Sequence, residues 1–272
     1  MTMLINGHEA SSLLGADRGP QYAEGLFETI ALRRGEPLLW QRHLQRLNDG
    51  CQRLGLPAPD PLLLRQEVDR IAGNETRAVA KIIVTRGSIS HGYRSALDSQ
   101  VIRIVQRLPW PIYPADARRG VTVCWCKTRL AHQPLLAGIK QLNRLEQVLA
   151  RAEWLDEYAE GLMRDSDGWV IEGTKTNLFV VSADGTLVTP DLSQSGVAGV
   201  MRAQILDSVA SLGLTCRVQP VSVDLIESAQ ELFLTNSLIG LWPVKQLEAR
   251  QYVVGQISQK IQAALHAADC VA

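Results

Sequence analysis

The sequence has few aromatic residues and no excess of charge of either sign. Aromatic side chains make up 5% of the 272 residues, and the 28 basic residues equal the 28 acidic ones in number. A balanced chain has no overall field that would attract nucleic acid, an anionic membrane or a polyanionic partner. We therefore predict no nucleic-acid or membrane partner, and any site that binds an anion must be local.

Long apolar runs are also missing. No window comes near the roughly eighteen uninterrupted apolar residues of a membrane span, and the first residues (MTMLINGHEA) lack the pattern of a secretory signal. The cysteines are few and scattered, without the spacing of a disulfide framework or a metal site. We predict a cytoplasmic protein with no metal site and with five reduced thiols, at Cys51, Cys124, Cys126, Cys216 and Cys270.

A proline-rich segment divides the chain. The segment LPWPIYPADARR, residues 108–119, holds three prolines between two well-patterned regions and is the best candidate for a linker. With 46% hydrophobic residues, the chain is long enough for two modest domains that each have a core. We predict a small N-terminal α/β domain over residues 1–112 and a larger C-terminal domain over residues 113–272.

Apolar periodicity predicts strands and helices in a mixed order. Strands are expected in FETIALRR, AVAKIIVTRG, QVIRIVQRL and GVTVCWCKT, and helices in HLQRLNDGCQRLG and ISQKIQAALHAA. Hairpin turns are predicted at Arg34-Gly35 and Asp184-Gly185. Because strands and helices do not alternate regularly, the pattern favours the α+β class over a doubly wound sheet.

Lysine is scarce, and one lysine stands in apolar surroundings. The chain has six lysines against twenty-two arginines, and Lys140 lies between Ile139 and Leu142. A leucine stripe predicts a helix that begins near Lys140. Burial lowers the pKa of an ammonium group, which prepares the amine to attack an aldehyde. The alternative is a lysine at a helix start with its head group in solvent, and the local pattern alone favours that alternative.

Two further segments have the chemistry to bind parts of an anionic cofactor. In SGVAGVMR, Gly199 leads into a helix whose first amides, at Val200 and Met201, could bind a phosphate. Many helices nevertheless begin after a glycine and bind nothing. Glu172 ends an apolar strand, where it could keep a cofactor nitrogen protonated or lie exposed as an ordinary carboxylate.

Arg46 is a candidate phosphate ligand in the first long helix. Arginine is the usual bidentate partner of phosphate. The same helix also carries Arg42 and Arg53, so a solvated surface charge is the alternative at this position.

These segments, in this order, resemble the fold-type IV pyridoxal-phosphate enzymes, the family of branched-chain and D-amino-acid aminotransferases and aminodeoxychorismate lyases. The resemblance covers nearly the whole chain and runs through INGHEA, YAEGLFET, HLQRL, TRGS, LAGIKQLNRLEQVLAR, IEGTKTNLF, GVAGVMR and FLTNSLIGLWPV. It implies a two-domain α+β fold with a pseudobarrel-like C-terminal domain, a pyridoxal 5′-phosphate cofactor, a small-molecule substrate and a homodimer.

The resemblance also implies a role for each candidate residue. Lys140 is expected to carry the cofactor as a Schiff base, and Glu172 to contact the pyridine nitrogen. Arg46 is expected to bind the phosphate. The remaining phosphate ligands implied by the resemblance are Gly199, Val200, Met201 and Ser237.

Within this family the sequence is most similar to the lyases, which convert 4-amino-4-deoxychorismate to 4-aminobenzoate and pyruvate in folate biosynthesis. LAGIKQLNRLEQVLAR and the FET at residues 27–29 carry this similarity, and it implies that Thr29 assists proton transfer. The segment around His91 departs from the glycine-rich stretch of the lyases and also lacks the PRxH-like motif of the D-amino-acid aminotransferases. A branched-chain or D-amino-acid aminotransferase is the first alternative, and a binding protein without activity is the second.

Overall fold

The computed structural model describes residues 3–12, 15–88, 92–94 and 100–272. The chain divides into two compact units by its contacts. Unit 1 comprises Met1–Pro111, Ile139–Asn143 and Ala272, and unit 2 comprises Ile112–Gly138 and Arg144–Val271. Each unit contains both strands and helices, which confirms the predicted α+β class, while the domain boundary at residue 112 stays a prediction.

The described part of unit 1 holds one six-stranded antiparallel sheet and three helices. The strands are β1 (Met3–Ile5), β2 (His8–Glu9), β3 (Gly25–Arg33), β4 (Glu36–Pro37), β5 (Arg77–Thr85) and β6 (Ile102–Pro109). Their spatial order is β2-β1-β6-β5-β3-β4. The helices are α1 (Arg18–Tyr22), α2 (Trp40–Leu54) and α3 (Pro61–Ala72).

Strand β3 defines the two faces of this sheet. Alternation along the strand places Leu26 and Glu28 on one face and Phe27 and Thr29 on the other. Helix α2 covers the first face, where a side chain at Gly50 would come within 2.8 Å of Leu26. Glycine at this position therefore lets α2 pack closely against the strand.

The described part of unit 2 holds nine strands and four α-helices. The strands are β7 (Val121–Leu130), β8 (Glu160–Asp165), β9 (Val170–Gly173), β10 (Asn177–Val181), β11 (Leu187–Pro190), β12 (Cys216–Gln219), β13 (Glu231–Asn236), β14 (Gly240–Leu247) and β15 (Arg250–Gln251). The helices are α4 (Leu145–Arg151), α5 (Val200–Ser208), α6 (Val223–Ser228) and α7 (Gln256–Ala267).

Six strands of unit 2 close into a barrel. The order β10-β13-β14-β7-β8-β9 returns to its first strand because β9 pairs with both β8 and β10. The closing pair is Glu172 and Asn177. The closed sheet confirms the pseudobarrel-like domain that the resemblance implied, and its core includes the buried side chains of Val123, Leu162, Leu178, Leu234 and Val244.

Turns and helix ends follow local sequence signals. The predicted turn at Arg34-Gly35 joins β3 to β4 with positive φ at both residues, and the predicted Asp184-Gly185 turn joins β10 to β11. Helix α2 ends at Leu54 and is capped by Gly55, which has a φ of 60°. Helix α5 begins directly after Gly199, as expected. Among the described residues, no helix has both the length and the apolar character needed to cross a membrane.

The helix predicted near Lys140 begins later than expected. Helix α4 starts at Leu145, so Leu142 lies outside it. Leu145 and Leu149 are 69% and 61% exposed and do not pack into the core of unit 2. The prediction was wrong here because the leucines were interpreted as one buried stripe, whereas Leu142 belongs to an extended segment of unit 1.

Candidate active site

Lys140 lies along the edge of strand β3 in unit 1. Phe27 donates its amide hydrogen to the Lys140 carbonyl at 2.9 Å, and Leu142 donates to the Gly25 carbonyl at 3.0 Å. The Lys140 Nζ lies 4.3 Å from the centre of the Phe27 ring, where the face of the ring attracts a cation. The Lys140 side chain is half-buried, whereas the local sequence pattern alone favoured a head group in solvent.

Thr29 lies on the same face of β3 as Phe27, two residues further along. It is half-buried and stands opposite Lys81 of strand β5. Since the Lys140 amine lies over the Phe27 ring, the two predicted catalytic residues share one face of the sheet.

A buried carboxylate holds Arg46. The Arg46 Nε donates to Glu28 Oε1 at 2.8 Å, and Nη2 donates to Glu28 Oε2 at 2.5 Å. A bidentate pair of this kind fixes the orientation of the guanidinium group. The Arg46 side chain is 11% exposed, so the alternative of a solvated surface charge is wrong. Phosphate binding by Arg46 stays a prediction.

The same carboxylate also contacts His43, one helical turn before Arg46. The His43 Nδ1 lies 2.6 Å from Glu28 Oε2, and both side chains are almost fully buried. Burial by itself would raise the pKa of Glu28, but Arg46 and His43 outweigh it and lower this pKa to about 2. Burial lowers the pKa of His43, although Glu28 opposes the shift. At neutral pH the cluster therefore holds an ionised carboxylate and a neutral imidazole.

In unit 2, Glu172 is buried where the barrel closes. The side chain is 4% exposed, which excludes the ordinary surface carboxylate that the sequence left open. Its Oε2 accepts hydrogen bonds from the Val197 amide at 2.9 Å and from Asn177 Nδ2 at 3.3 Å. These two donors fix the orientation of the carboxylate.

Asn177 connects Glu172 to the start of helix α5. Its Nδ2 also donates to the Val197 carbonyl at 2.8 Å. Its Oδ1 lies so near Gly199 that a Cβ there would be 1.8 Å away. Gly199 caps α5 without any side-chain hydrogen bond, and the first amides of a helix have no partner within the helix. The start of α5 thus combines a glycine, tight packing and backbone donors that have no partner within the helix.

Ser237 lies in the turn that follows strand β13. The Asn236 Oδ1 accepts hydrogen bonds from the amides of Leu238 and Ile239, both at 2.9 Å, and so fixes this turn. Helix α5 packs against β13. Ser237 therefore follows the strand that supports α5, and its phosphate contact stays a prediction.

Sequence reasoning missed Glu28, His43 and Asn177. Two signals were present for the first two: strand alternation places Glu28 on the buried face of β3, and His43 and Arg46 are spaced to share one face of a helix. Asn177 follows Glu172 by five residues and pairs with it across the turn between β9 and β10, and no sequence motif marked it. The departure from the lyase pattern around His91 lies outside the described residues.

Comparison with known proteins gives one family and several similar chains. Residues 25–247 match the family described as Amino-transferase class IV. An aminodeoxychorismate lyase from Vibrio harveyi is 35% identical over 96% of this chain and 98% of its own length. The crystal structure of 4-amino-4-deoxychorismate lyase from Pseudomonas aeruginosa is 46% identical, with a TM-score of 0.92 over 97% of this chain and 98% of that one. A branched-chain-amino-acid aminotransferase from Escherichia coli strain K12 is 26% identical over 89% of this chain and 83% of its own length.

Proposed function

The chain belongs to the class IV amino-transferase family, and from this premise we propose that it is a lyase that converts 4-amino-4-deoxychorismate to 4-aminobenzoate and pyruvate in folate biosynthesis. The similar chains that bear the lyase name share 35% and 46% of their residues with it, against 26% for the branched-chain aminotransferase. The structural observation that supports the lyase most directly is that Thr29 shares a face of β3 with the Lys140 amine.

The residues present fit pyridoxal 5′-phosphate, the cofactor of this enzyme. The oriented, buried carboxylate of Glu172 suits a protonated pyridine nitrogen. A Cβ at Gly199 would clash with Asn177 Oδ1, so glycine is needed at this position. The amides at the start of the helix that follows suit a phosphate. We assign Lys140 as the Schiff-base lysine and Arg46 as a phosphate ligand. The other phosphate ligands that we assign are Gly199, Val200, Met201 and Ser237.

The reaction breaks one carbon–hydrogen bond and one carbon–oxygen bond. When bound, the cofactor supplies an electron sink for the charge left by proton removal. The Lys140 Nζ takes the proton from the ring carbon that bears the amine, while Glu172 holds the proton on the pyridine nitrogen. The Thr29 Oγ1 assists transfer of a proton to the departing pyruvyl group. The two products contain every atom of the substrate, so no second substrate is consumed.

Activity with and without 2-oxoglutarate separates this lyase from an aminotransferase. We expect 4-aminobenzoate to form from 4-amino-4-deoxychorismate at a rate that 2-oxoglutarate does not change. The Thr29→Val variant, which keeps the shape of the side chain but lacks the hydroxyl, should have a kcat about 100-fold lower, the size of a lost proton-transfer group. Thr29→Ser is the matched control and should retain most of the activity. A rate that depends on 2-oxoglutarate would favour the aminotransferase.

We also propose that the enzyme is a cytoplasmic homodimer. Helix α4 exposes an apolar surface, which a protein normally covers; its residues Leu145, Val148 and Leu149 are each more than 60% exposed. The thiols of the described residues are all free, which fits a reducing compartment. Sedimentation velocity tests the dimer, and a monomer at micromolar concentration would contradict it.

A further inference from the structure

The His43 side chain has one buried nitrogen without a hydrogen-bond partner among the described residues. This atom is Nε2, and the side chain is 1% exposed. The other nitrogen, Nδ1, faces the ionised carboxylate of Glu28 and must donate to it. In the neutral imidazole Nε2 therefore carries a lone pair, and burying a polar atom without a partner is unfavourable. A proton taken up by His43 would occupy this lone pair.

Three charged groups act on His43 before any ligand binds. Glu28 of β3 is negative and Arg46 of α2 is positive, and the two form a neutral bidentate pair. Among the described residues, Lys140 on the segment beside β3 is the third charged group that acts on the imidazole, and it lowers the pKa of His43 as Arg46 does. The Glu28–Arg46 pair has no net charge. A dianionic phosphate that binds Arg46 would therefore also be repelled by the carboxylate of Glu28. One added proton on the imidazole would offset that repulsion.

We propose that His43 takes up a proton from solvent at Nε2 when the phosphate of the cofactor binds Arg46. The resulting imidazolium donates to Glu28 through Nδ1, and its positive charge offsets the repulsion between Glu28 and the bound anion. The inference rests on the proposed function, because it needs a phosphorylated cofactor at Arg46. His43 acts here through Arg46 and Glu28 as a positioning residue, and it takes no part in the bond-breaking steps.

Proton uptake has a defined effect on affinity. Since the complex binds one more proton than the free protein, affinity for the phosphate increases as the pH falls through the range between the two pKa values of His43. That range begins at the lowered pKa of the free protein and ends at the pKa raised by the phosphate.

The test uses the full-length chain freed of cofactor, with pyridoxamine 5′-phosphate as the probe. This probe carries the phosphate but has no aldehyde to react with Lys140. Calorimetric titration in two buffers of different ionisation enthalpy, at about pH 8 where the phosphate is already dianionic, gives the number of protons taken up. Pyridoxamine, which lacks the phosphate, corrects for protons exchanged at the ring. We expect about one proton more with the phosphorylated probe.

His43→Gln is the informative variant, because a glutamine amide can still donate to Glu28. It should bind the probe without the additional proton. His132→Gln is the matched control: His132 is a partly exposed histidine of unit 2 that pairs with Asp165, and its replacement should leave the additional proton in place. The same proton uptake in His43→Gln as in the wild type would overturn the inference.

A second measurement keeps the inference testable if His43→Gln does not fold. In the wild-type protein, the C2 proton resonance of His43 should titrate below neutral pH without ligand and above pH 8 in the complex, as uptake of about one proton at pH 8 requires. An unchanged titration would overturn the inference while leaving the lyase activity unaffected. Failure of pyridoxamine 5′-phosphate to bind at all would instead contradict the cofactor assignment, and with it the proposed function.

Discussion

Alanine in place of Lys140 is expected to abolish both turnover and the visible absorbance of the bound cofactor. The Lys140 amine is the group that we assign to hold the cofactor covalently and to move the substrate proton, and no other lysine lies on the segment 139–143. The backbone bonds that join this segment to β3 involve the Lys140 carbonyl and the Leu142 amide, so they survive the substitution. The variant should therefore fold, and its loss of turnover should result from the missing amine.

Absorbance spectra and initial rates measure this effect. Lys127→Ala is the matched control, because Lys127 is an exposed lysine of unit 2, and it should retain both colour and rate. Circular dichroism and the urea midpoint of cofactor-free Lys140→Ala should match those of the cofactor-free wild type. A coloured, active Lys140→Ala enzyme would contradict the Schiff-base assignment.

Glutamine at position 172 should preserve cofactor binding but slow proton removal. The Val197 amide and the Asn177 amide group both donate to Glu172 Oε2. In Glu172→Gln the amide oxygen should take that place, because only the oxygen can accept these bonds. The amide nitrogen then occupies the other position, where it donates a hydrogen bond and leaves the pyridine nitrogen without a proton.

The size of this effect follows from the loss of one charge-assisted hydrogen bond. Such a bond is worth about 1.5–3 kcal/mol, which corresponds to a kcat lower by roughly 10- to 100-fold. Rapid-mixing spectroscopy of the substrate-loaded enzyme measures the rate of proton removal directly. Glu227→Gln, at an exposed carboxylate of α6, is the control. An unchanged kcat in Glu172→Gln would show that Glu172 has no role in catalysis.

Features that depend on a few neighbouring residues were predictable from the sequence. The Arg34-Gly35 turn needs positive φ at both positions, and a glycine at the second position signals it. The start of α5 after Gly199 is a local signal of the same kind.

Features that depend on distant residues were not predictable in this way. Arg46 lies on one face of a helix with Arg42 nearby, and only the folded chain brings Glu28 against it from a strand 18 residues earlier. Likewise, the Val197 amide that donates to Glu172 lies 25 residues later in the chain. The leucines after Lys140 have helical spacing. Leu142 nevertheless lies in an extended segment of unit 1, and Leu145 and Leu149 lie on an exposed helix of unit 2. Spacing alone does not distinguish a buried apolar face from an exposed one.

The proposed lyase activity is tested most directly by product stoichiometry. Purified enzyme saturated with pyridoxal 5′-phosphate is mixed with 4-amino-4-deoxychorismate alone, and 4-aminobenzoate is followed by fluorescence while pyruvate is measured in the same sample. We expect the two products in equal amounts, with no amino acceptor present. Absence of 4-aminobenzoate, together with transfer of an amino group from D-alanine or a branched-chain amino acid to 2-oxoglutarate, would contradict the lyase and identify an aminotransferase instead.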